Sequence, residues 1–269
     1  LNGDSNGGTV GIAIATAGGA ITLSGGLDPA VDAPSRIDGP GVRVARSVLD
    51  AGTGAITVRG RGLPGEGDTP VGVSLGDSTL NGGAVSITGA SDGGTGVSMV
   101  NSTVQASGDV LVHGVATSSS LGADQGAPIG VFVQNSGVVL GTGDGSGRFT
   151  LTGRAERAPG ASGTAPGATG LWLDGLAVST DRVNAGRVTL AGEGVGAGSR
   201  GIAAPSASSF TPFTVSGDDL TTGAADVVIG AQADAGGRAL ALDGPAPIVR
   251  TSGVVNIRPL GVDAHGGLT

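Results

Sequence analysis

The sequence of 269 residues contains no cysteine, no lysine and no tyrosine, and it has one tryptophan, four phenylalanines and two histidines. Without cysteine there is no disulfide framework and no thiolate ligand for a metal. His113 and His265 lie far apart in the sequence, so neither a histidine metal centre nor a Ser-His-Asp triad is expected. We therefore predict no catalytic residue, no metal and no cofactor.

Positive charge and long apolar runs are also scarce. The 14 basic residues, all arginine, are outnumbered by 22 acidic residues, and the formal net charge is −8. Nucleic-acid binding needs cationic surfaces and aromatic stacking platforms, so we expect no nucleic-acid partner. No apolar run approaches the roughly 20 residues that cross a bilayer, and we expect no membrane insertion in this segment. No signal peptide opens the chain, which we interpret as an internal fragment of a longer protein.

Glycine, in contrast, is abundant, with 56 residues, but it follows no strict Gly-X-Y period, which excludes collagen. Hydrophobic residues make up 38% of the chain and occur in short β-branched runs in which apolar and polar positions alternate. This alternation is typical of β-strands, and helical spacing is absent. The sequence therefore predicts an all-β protein.

Three kinds of short apolar stretch recur in a fixed order, and we call one set of three a unit. The first stretch begins at Ile21, Ile56, Val85, Val110, Phe149, Val188, Val227 and Val255. The second begins at Val42, Val73, Val97, Val131 and Leu171, and more weakly at Ile202 and Leu240. The third is marked by Leu49, Leu80, Val104, Val138 and Val178, each seven residues after the start of the second. We interpret Ile12-Ala13-Ile14 as a second stretch in a truncated first unit.

Units that cannot bury their apolar residues alone are stabilised by stacking on their neighbours. We therefore predict a right-handed parallel β-helix (a β-solenoid) with three short strands per turn and about eight turns, in one domain over residues 1–269. At a spacing of about 4.8 Å per turn it would be roughly 40 Å long. An irregular insertion is expected at 206–224. A β-sandwich would not predict the constant offset of seven residues, and a β-propeller would need four strands per blade and a longer period.

Two corners of the predicted unit differ in length. The corner between the second and third strands is short, and its turn formers are predicted to be Asp77, Asn101, Asn135, Asp174 and Asp243. Asn and Asp tolerate the left-handed backbone conformation, and stacked Asn side chains can form hydrogen bonds along the axis. The corner after the first strand varies, with Gly-, Ser- and Pro-rich stretches at 59–70, 91–95, 116–128 and 154–169. Such insertions are tolerated because the entropy cost of loop closure grows slowly with loop length.

The outward positions show no catalytic pattern. In the first strands they are Thr22, Thr57, Ser86, Leu111, Thr150, Thr189, Val228 and Asn256. Glycoside cleavage requires two carboxylates at a defined separation, and this column contains none. Ice binding would need unbroken threonine ranks, and the rank two residues further on is interrupted by Arg59 and His113. Phe132 and Trp172 are predicted to point outward from successive second strands, either beneath a loop or within a contact surface.

The stretches GAITVRGRG, VGVSLGDSTLNGGAVSITG and TGVSMVNSTVQASGDVLVHG carry a family resemblance. This style of repeat, which extends from Gly11 to about Ile257, resembles the filamentous-haemagglutinin-like exoproteins of two-partner secretion. The passengers of pertactin-like autotransporters are similar. The resemblance implies a long β-helix at the bacterial outer surface or released outside the cell. It also implies adhesion to a host or neighbouring-cell protein or glycan, or a role as a stalk.

Three functional hypotheses follow. The first is a non-enzymatic adhesin or stalk segment whose variable-corner loops are available for contacts. The second is a carbohydrate-active β-helix, either a polysaccharide lyase or hydrolase or a phage tail fibre. The third is an extracellular structural filament in which copies of the chain pair with one another, since exposed strand edges template such pairing.

Overall fold

The structure of the protein is a computed structural model that describes residues 11–24, 35–37, 39–64, 69–118, 127–141, 147–157, 167–180, 186–204, 219–221, 226–234, 236–242, 248–250 and 254–260. Every helix or strand within these residues is a β-strand, and every strand pair is parallel, so the chain is all-β as the sequence predicts. The strands are β1 Ile12–Ala15, β2 Ile21–Ser24, β3 Ser35–Ile37, β4 Pro40–Ala45, β5 Ser47–Asp50, β6 Ala55–Leu63, β7 Val71–Gly76, β8 Thr79–Gly82, β9 Ala84–Asp92, β10 Thr95–Val100, β11 Thr103–Ala106, β12 Val110–Ser118, β13 Ile129–Leu140, β14 Phe149–Arg157, β15 Thr169–Thr180, β16 Arg187–Val195, β17 Arg200–Ala204, β18 Asp219–Thr221, β19 Asp226–Ala233, β20 Arg238–Leu242, β21 Ile248–Arg250 and β22 Val255–Pro259.

The first strands of successive units form a nine-stranded sheet in the order β2-β6-β9-β12-β14-β16-β19-β22, with β3 paired to β6. Each strand pairs with the corresponding strand of the unit before it and the unit after it. The residues in register along this sheet are Ile21, Ile56, Val85, Val110, Phe149, Val188, Val227 and Val255. This register matches the starts of the first stretches in the sequence.

The second and third strands form a thirteen-stranded sheet, because β13 and β15 each continue through both positions of their unit. The second strands align Val42, Val73, Val97, Val131, Leu171, Ile202 and Leu240. The third strands align Ile14, Leu49, Leu80, Val104, Val138, Val178, Leu220 and Val249. Each unit thus contributes one strand to the first sheet and two strand segments to the second.

The assignment of Ile12-Ala13-Ile14 to a second strand is wrong. The strand β1 pairs with β5, and Ile14 lies opposite Leu49, so it is a third strand. The alternating apolar pattern is the same in both kinds of strand and does not distinguish them. The distance to the first strand of the next unit does distinguish them. Ile14 precedes Ile21 by seven residues, just as Leu49 of a third strand precedes Ile56.

The first strands are longer than the sequence predicts. The strands β6, β9, β12, β14 and β16 each span nine residues rather than three. Burial alternates along most of this length, for example throughout Ala84–Asp92. The variable corners therefore begin later than expected, since 59–63, 91–92, 116–118 and 154–157 belong to strands.

The core lies between the two sheets, and the predicted core residues are buried there. Their side chains are at most 5% exposed: Ile21, Ile56, Val85, Val110, Phe149, Val188, Val227, Val73, Val97, Val131 and Leu171. Phe149 is the largest fully buried side chain. Because apolar residues of one unit stack on the corresponding apolar residues of the next, the core is a continuous apolar layer that no single unit could form alone.

Along one edge of the core the two sheets are separated only by glycine. The glycines of the first strands lie opposite glycines near the start of the second strands: Gly60, Gly89, Gly114, Gly153 and Gly192 lie opposite Gly72, Gly96, Gly130, Gly170 and Gly201. A Cβ at Gly114 would overlap the carbonyl oxygen of Gly130. The backbones are therefore in van der Waals contact at this edge, which explains why glycine directly precedes the first core residue of almost every second strand.

The predicted insertion at 206–224 lies mostly outside the described residues. Its described part, β18, is a third strand in which Leu220 pairs with Val178 of β15. Leu220 follows Ile202 by 18 residues, whereas the five units before it have an offset of seven. The sequence between the second and third strands is therefore longer in this unit than in the units before it.

Candidate functional site

The short corner repeats one backbone conformation in successive units. Arg46, Asp77, Asn101 and Asn135 have φ angles of 48°, 50°, 49° and 45°, and Gly175 has 88°. All five lie four residues after the residue that begins the second apolar stretch of their unit. The Nδ2 atom of Asn101 donates a hydrogen bond of 3.1 Å to Oδ1 of Asp77, so side chains are linked along the axis.

One of the predicted turn formers differs from this pattern, and another cannot be compared with it. Asp174 lies one residue before the left-handed position, which Gly175 occupies in that unit. Asp243 lies outside the described residues. Arg46 occupies the left-handed position although arginine is not a typical turn residue, and composition alone gave no signal for it.

A column of buried serines follows the corner and was missed by the sequence reasoning. Each Oγ donates a hydrogen bond of 2.8–2.9 Å to the carbonyl oxygen two residues earlier; the serines are Ser47, Ser78, Ser102 and Ser136. Each Oγ after the first also accepts the backbone N–H of the serine one unit earlier. Leu176 takes this place in the following unit. The signal was present, since a serine directly follows the corner residue four times in succession.

The two outward aromatic residues lie side by side. Phe132 of β13 and Trp172 of β15 are directly in register, and both side chains are half-buried. Each stands between two buried residues of its strand, so both rings lie on the outer side of the thirteen-stranded sheet. Ser98 precedes Phe132 in this column, and Ala203, which is 2% exposed, follows Trp172.

A hydrogen-bonded polar pair adjoins the two rings. Gln134 and Asp174 lie two residues further along the same strands and therefore on the same face. The Nε2 atom of Gln134 donates a hydrogen bond of 3.0 Å to Oδ2 of Asp174. We call Phe132, Trp172, Gln134 and Asp174 the aromatic surface. It combines flat apolar area with hydrogen-bonding groups on one outer face of the sheet.

A second group of polar side chains lies on the outer side of the nine-stranded sheet. Nδ1 of His113 is 2.7 Å from Oγ1 of Thr152, and burial lowers the pKa of His113 below its ordinary value. Arg154 is 3.4 Å from a carboxylate oxygen of Glu156 and 3.4 Å from one of Glu193. Both carboxylates thus lie beside one guanidinium group. This is the arrangement of an ion-pair network, and no open pair of carboxylates faces a substrate between them.

The described part of the chain gives no sign of a metal site or a spanning helix. No group of three or more His, Cys, Asp or Glu side chains there is placed to hold a metal ion. The same residues include no helix long and apolar enough to cross a membrane.

Comparison with known proteins gives no relative. No protein-family model, no curated protein and no solved structure matches the chain. The contacts of the chain's own residues therefore carry the functional information, and the aromatic surface is the most distinctive group among the described residues.

Proposed function

We propose that the chain is a right-handed parallel β-helix of three strands per turn that serves as a non-enzymatic adhesin or stalk segment outside a bacterial cell. The observation that supports this most is the register: three columns of core residues each advance by one unit between neighbouring strands. Parallel strands joined by a crossover are right-handed in almost all proteins, which supports the handedness.

Stacking in this register suits a rigid spacer. Backbone hydrogen bonds run along the stacking direction, as from Asn101 N–H to the Gln134 carbonyl oxygen at 2.9 Å. The buried serine column and the linked corner side chains add bonds in the same direction. Bending such a stack would break several of these bonds together, so it holds its loops and outer faces at a fixed distance from its ends.

The likeness to filamentous-haemagglutinin-like and pertactin-like repeats supports an extracellular location and an adhesive role. The outward residues are consistent with contact rather than catalysis, because threonine and serine dominate the first strands and Arg154 engages both carboxylates of the polar group. The partner would be a protein or glycan of a host or neighbouring cell.

The adhesive role is tested by attachment of the intact chain. Beads coated with the protein are presented to host cells, bacterial cells, and arrays of glycans and matrix proteins, with beads coated with albumin as the control. We expect saturable attachment to at least one surface, with competition by the soluble protein. If beads that carry folded protein attach to none of these surfaces, the adhesive role is contradicted.

A further inference from the structure

The aromatic surface has a composition unlike the rest of the outer faces. Aromatic residues make up 2% of the chain, yet two of the five lie side by side on one face, on neighbouring strands about 4.8 Å apart. The strands that hold them, β13 and β15, are the two longest, with 12 residues each. The backbone that carries the rings is thus fixed in the sheet before any ligand binds, which lowers the entropy cost of binding.

The polar pair beside the rings has hydrogen-bonding capacity beyond its own bond. The amide oxygen of Gln134 and the second carboxylate oxygen of Asp174 each carry lone pairs that can accept hydroxyl protons. A hydrogen bond to an ionised carboxylate is about twice as strong as one between neutral groups. A ligand that places an apolar face on the rings and hydroxyl groups on this pair would satisfy both parts of the surface.

We propose that the aromatic surface is a binding site for a neutral saccharide. One face of a pyranose ring, which presents C–H groups, packs on Phe132 and Trp172, and the hydroxyl groups at its edge donate to Gln134 and Asp174. The inference deepens the proposed adhesive function, on which it rests, by naming the class of ligand and the residues that bind it.

Two observations favour a neutral sugar over other occupants. The carboxylate of Asp174, on a chain of net charge −8, disfavours a uronate or a sialylated glycan. A stable protein interface buries at least about 1,000 Å² in total, whereas the column around the two rings continues into Ser98 and Ala203, which offer little apolar area. The size and polarity of the surface therefore match one or two sugar rings.

The inference is tested on the intact chain through the fluorescence of Trp172, its only tryptophan. The probes are maltohexaose, cellohexaose and a β-linked galactohexaose, with hexagalacturonate as the acidic comparison. We expect a saturable change in emission with at least one neutral probe, with a Kd on the order of 1 mM. Phe132→Ala and Asp174→Asn should each raise that Kd at least fivefold. Leu111→Ala, which removes an exposed apolar side chain from the other sheet, should leave it unchanged.

Circular dichroism and thermal unfolding verify that each variant is folded. If Phe132→Ala does not fold, the test relies on Asp174→Asn, because its side chain can still accept the hydrogen bond from Gln134. The proposal is overturned if no neutral probe gives saturation, if hexagalacturonate binds more tightly, or if both variants bind as the wild type does. Attachment of the coated beads to a matrix protein without any saccharide binding would retain the adhesive function and overturn this site. Saccharide binding without attachment of the beads to any surface would retain this site and overturn the adhesive function.

Discussion

The backbone N–H of Ser78 donates a hydrogen bond of 3.3 Å to Oγ of Ser102, which lies 24 residues later and directly above it in the stack. Ser102 is 1% exposed and its Oγ also donates to the carbonyl oxygen of Val100. One hydroxyl thus satisfies backbone groups in two units. This contact shows how polar backbone at a tight corner is buried without being left unpaired.

Substitution of Ser102 by alanine should therefore destabilise the protein. Ser102→Ala leaves the buried N–H of Ser78 without its acceptor, and we expect a loss of about 1–3 kcal/mol in the free energy of unfolding. The measurement is urea denaturation followed by circular dichroism. Ser98→Ala, at a half-buried outward position of the same unit, is the matched control and should change stability by less than about 0.5 kcal/mol. Equal effects of the two substitutions would refute the role of the serine column.

Close contact of the two sheets predicts a large penalty for a single methyl group. Gly114→Ala would drive its Cβ into the backbone of Gly130, and we expect a loss of about 3 kcal/mol or more, or failure to fold. Gly76→Ala is the control, because among the described residues no heavy atom lies within 4 Å of a Cβ at that position. Thermal unfolding distinguishes the two variants. Similar melting temperatures would mean that the sheets are further apart than the structure shows.

The left-handed corner predicts different effects for two substitutions of the same residue. Asn101→Ala and Asn101→Gly both remove the hydrogen bond to Asp77, but only alanine is strained at a φ of 49°. We expect the alanine variant to be about 1 kcal/mol less stable than the glycine variant. Chemical denaturation of both proteins measures this difference. An alanine variant as stable as the glycine variant would exclude the left-handed conformation.

Burial of His113 predicts a loss of stability in mild acid. Its folded-state pKa lies below the unfolded value of about 6.5, so the unfolded state binds more protons as the pH falls through that value. The contribution of His113 therefore destabilises the fold progressively below pH 6.5. His113→Thr, which places there the residue found at Thr88 and Thr152, should show a smaller fall in stability between pH 7.5 and 5. A larger fall in the variant would contradict the sign of the shift.

The register of neighbouring strands could be predicted from the sequence wherever one strong apolar pattern repeats in successive units. The columns through Val85 and Val73 could be predicted because apolar alternation recurs in nearly every unit, and a glycine directly precedes almost every residue of the Val73 column. The pattern failed at Ile14, where two strand types share the same alternation, and at Asp174, where Asp-Gly moves the bend by one residue. Contacts such as Gln134 with Asp174 join residues 40 positions apart and could be inferred only after the register was known.

The serine column was missed for a physical reason. Serine is common in exposed turns, and nothing in its composition indicates that the residue after Asn101 turns inward. Burial of Ser102 follows from the left-handed residue before it, which reverses the direction of the next side chain. The candidate site was predicted in part: the pairing of Phe132 with Trp172 followed from the spacing, whereas the adjoining polar pair did not.

Disulfide trapping tests the stacking of units most directly, since the wild-type chain has no cysteine. Thr150 and Thr189 are outward neighbours in register on β14 and β16, and Val228 lies one unit further in the same column. Neighbouring positions about 4.8 Å apart are within the range of a disulfide, whereas positions two units apart, at about 10 Å, are not. We predict that the double variant Thr150→Cys with Thr189→Cys forms an intramolecular disulfide on oxidation, and that Thr150→Cys with Val228→Cys does not. Cross-linking of the second pair, or its absence in the first, would contradict a stack of parallel units in this register.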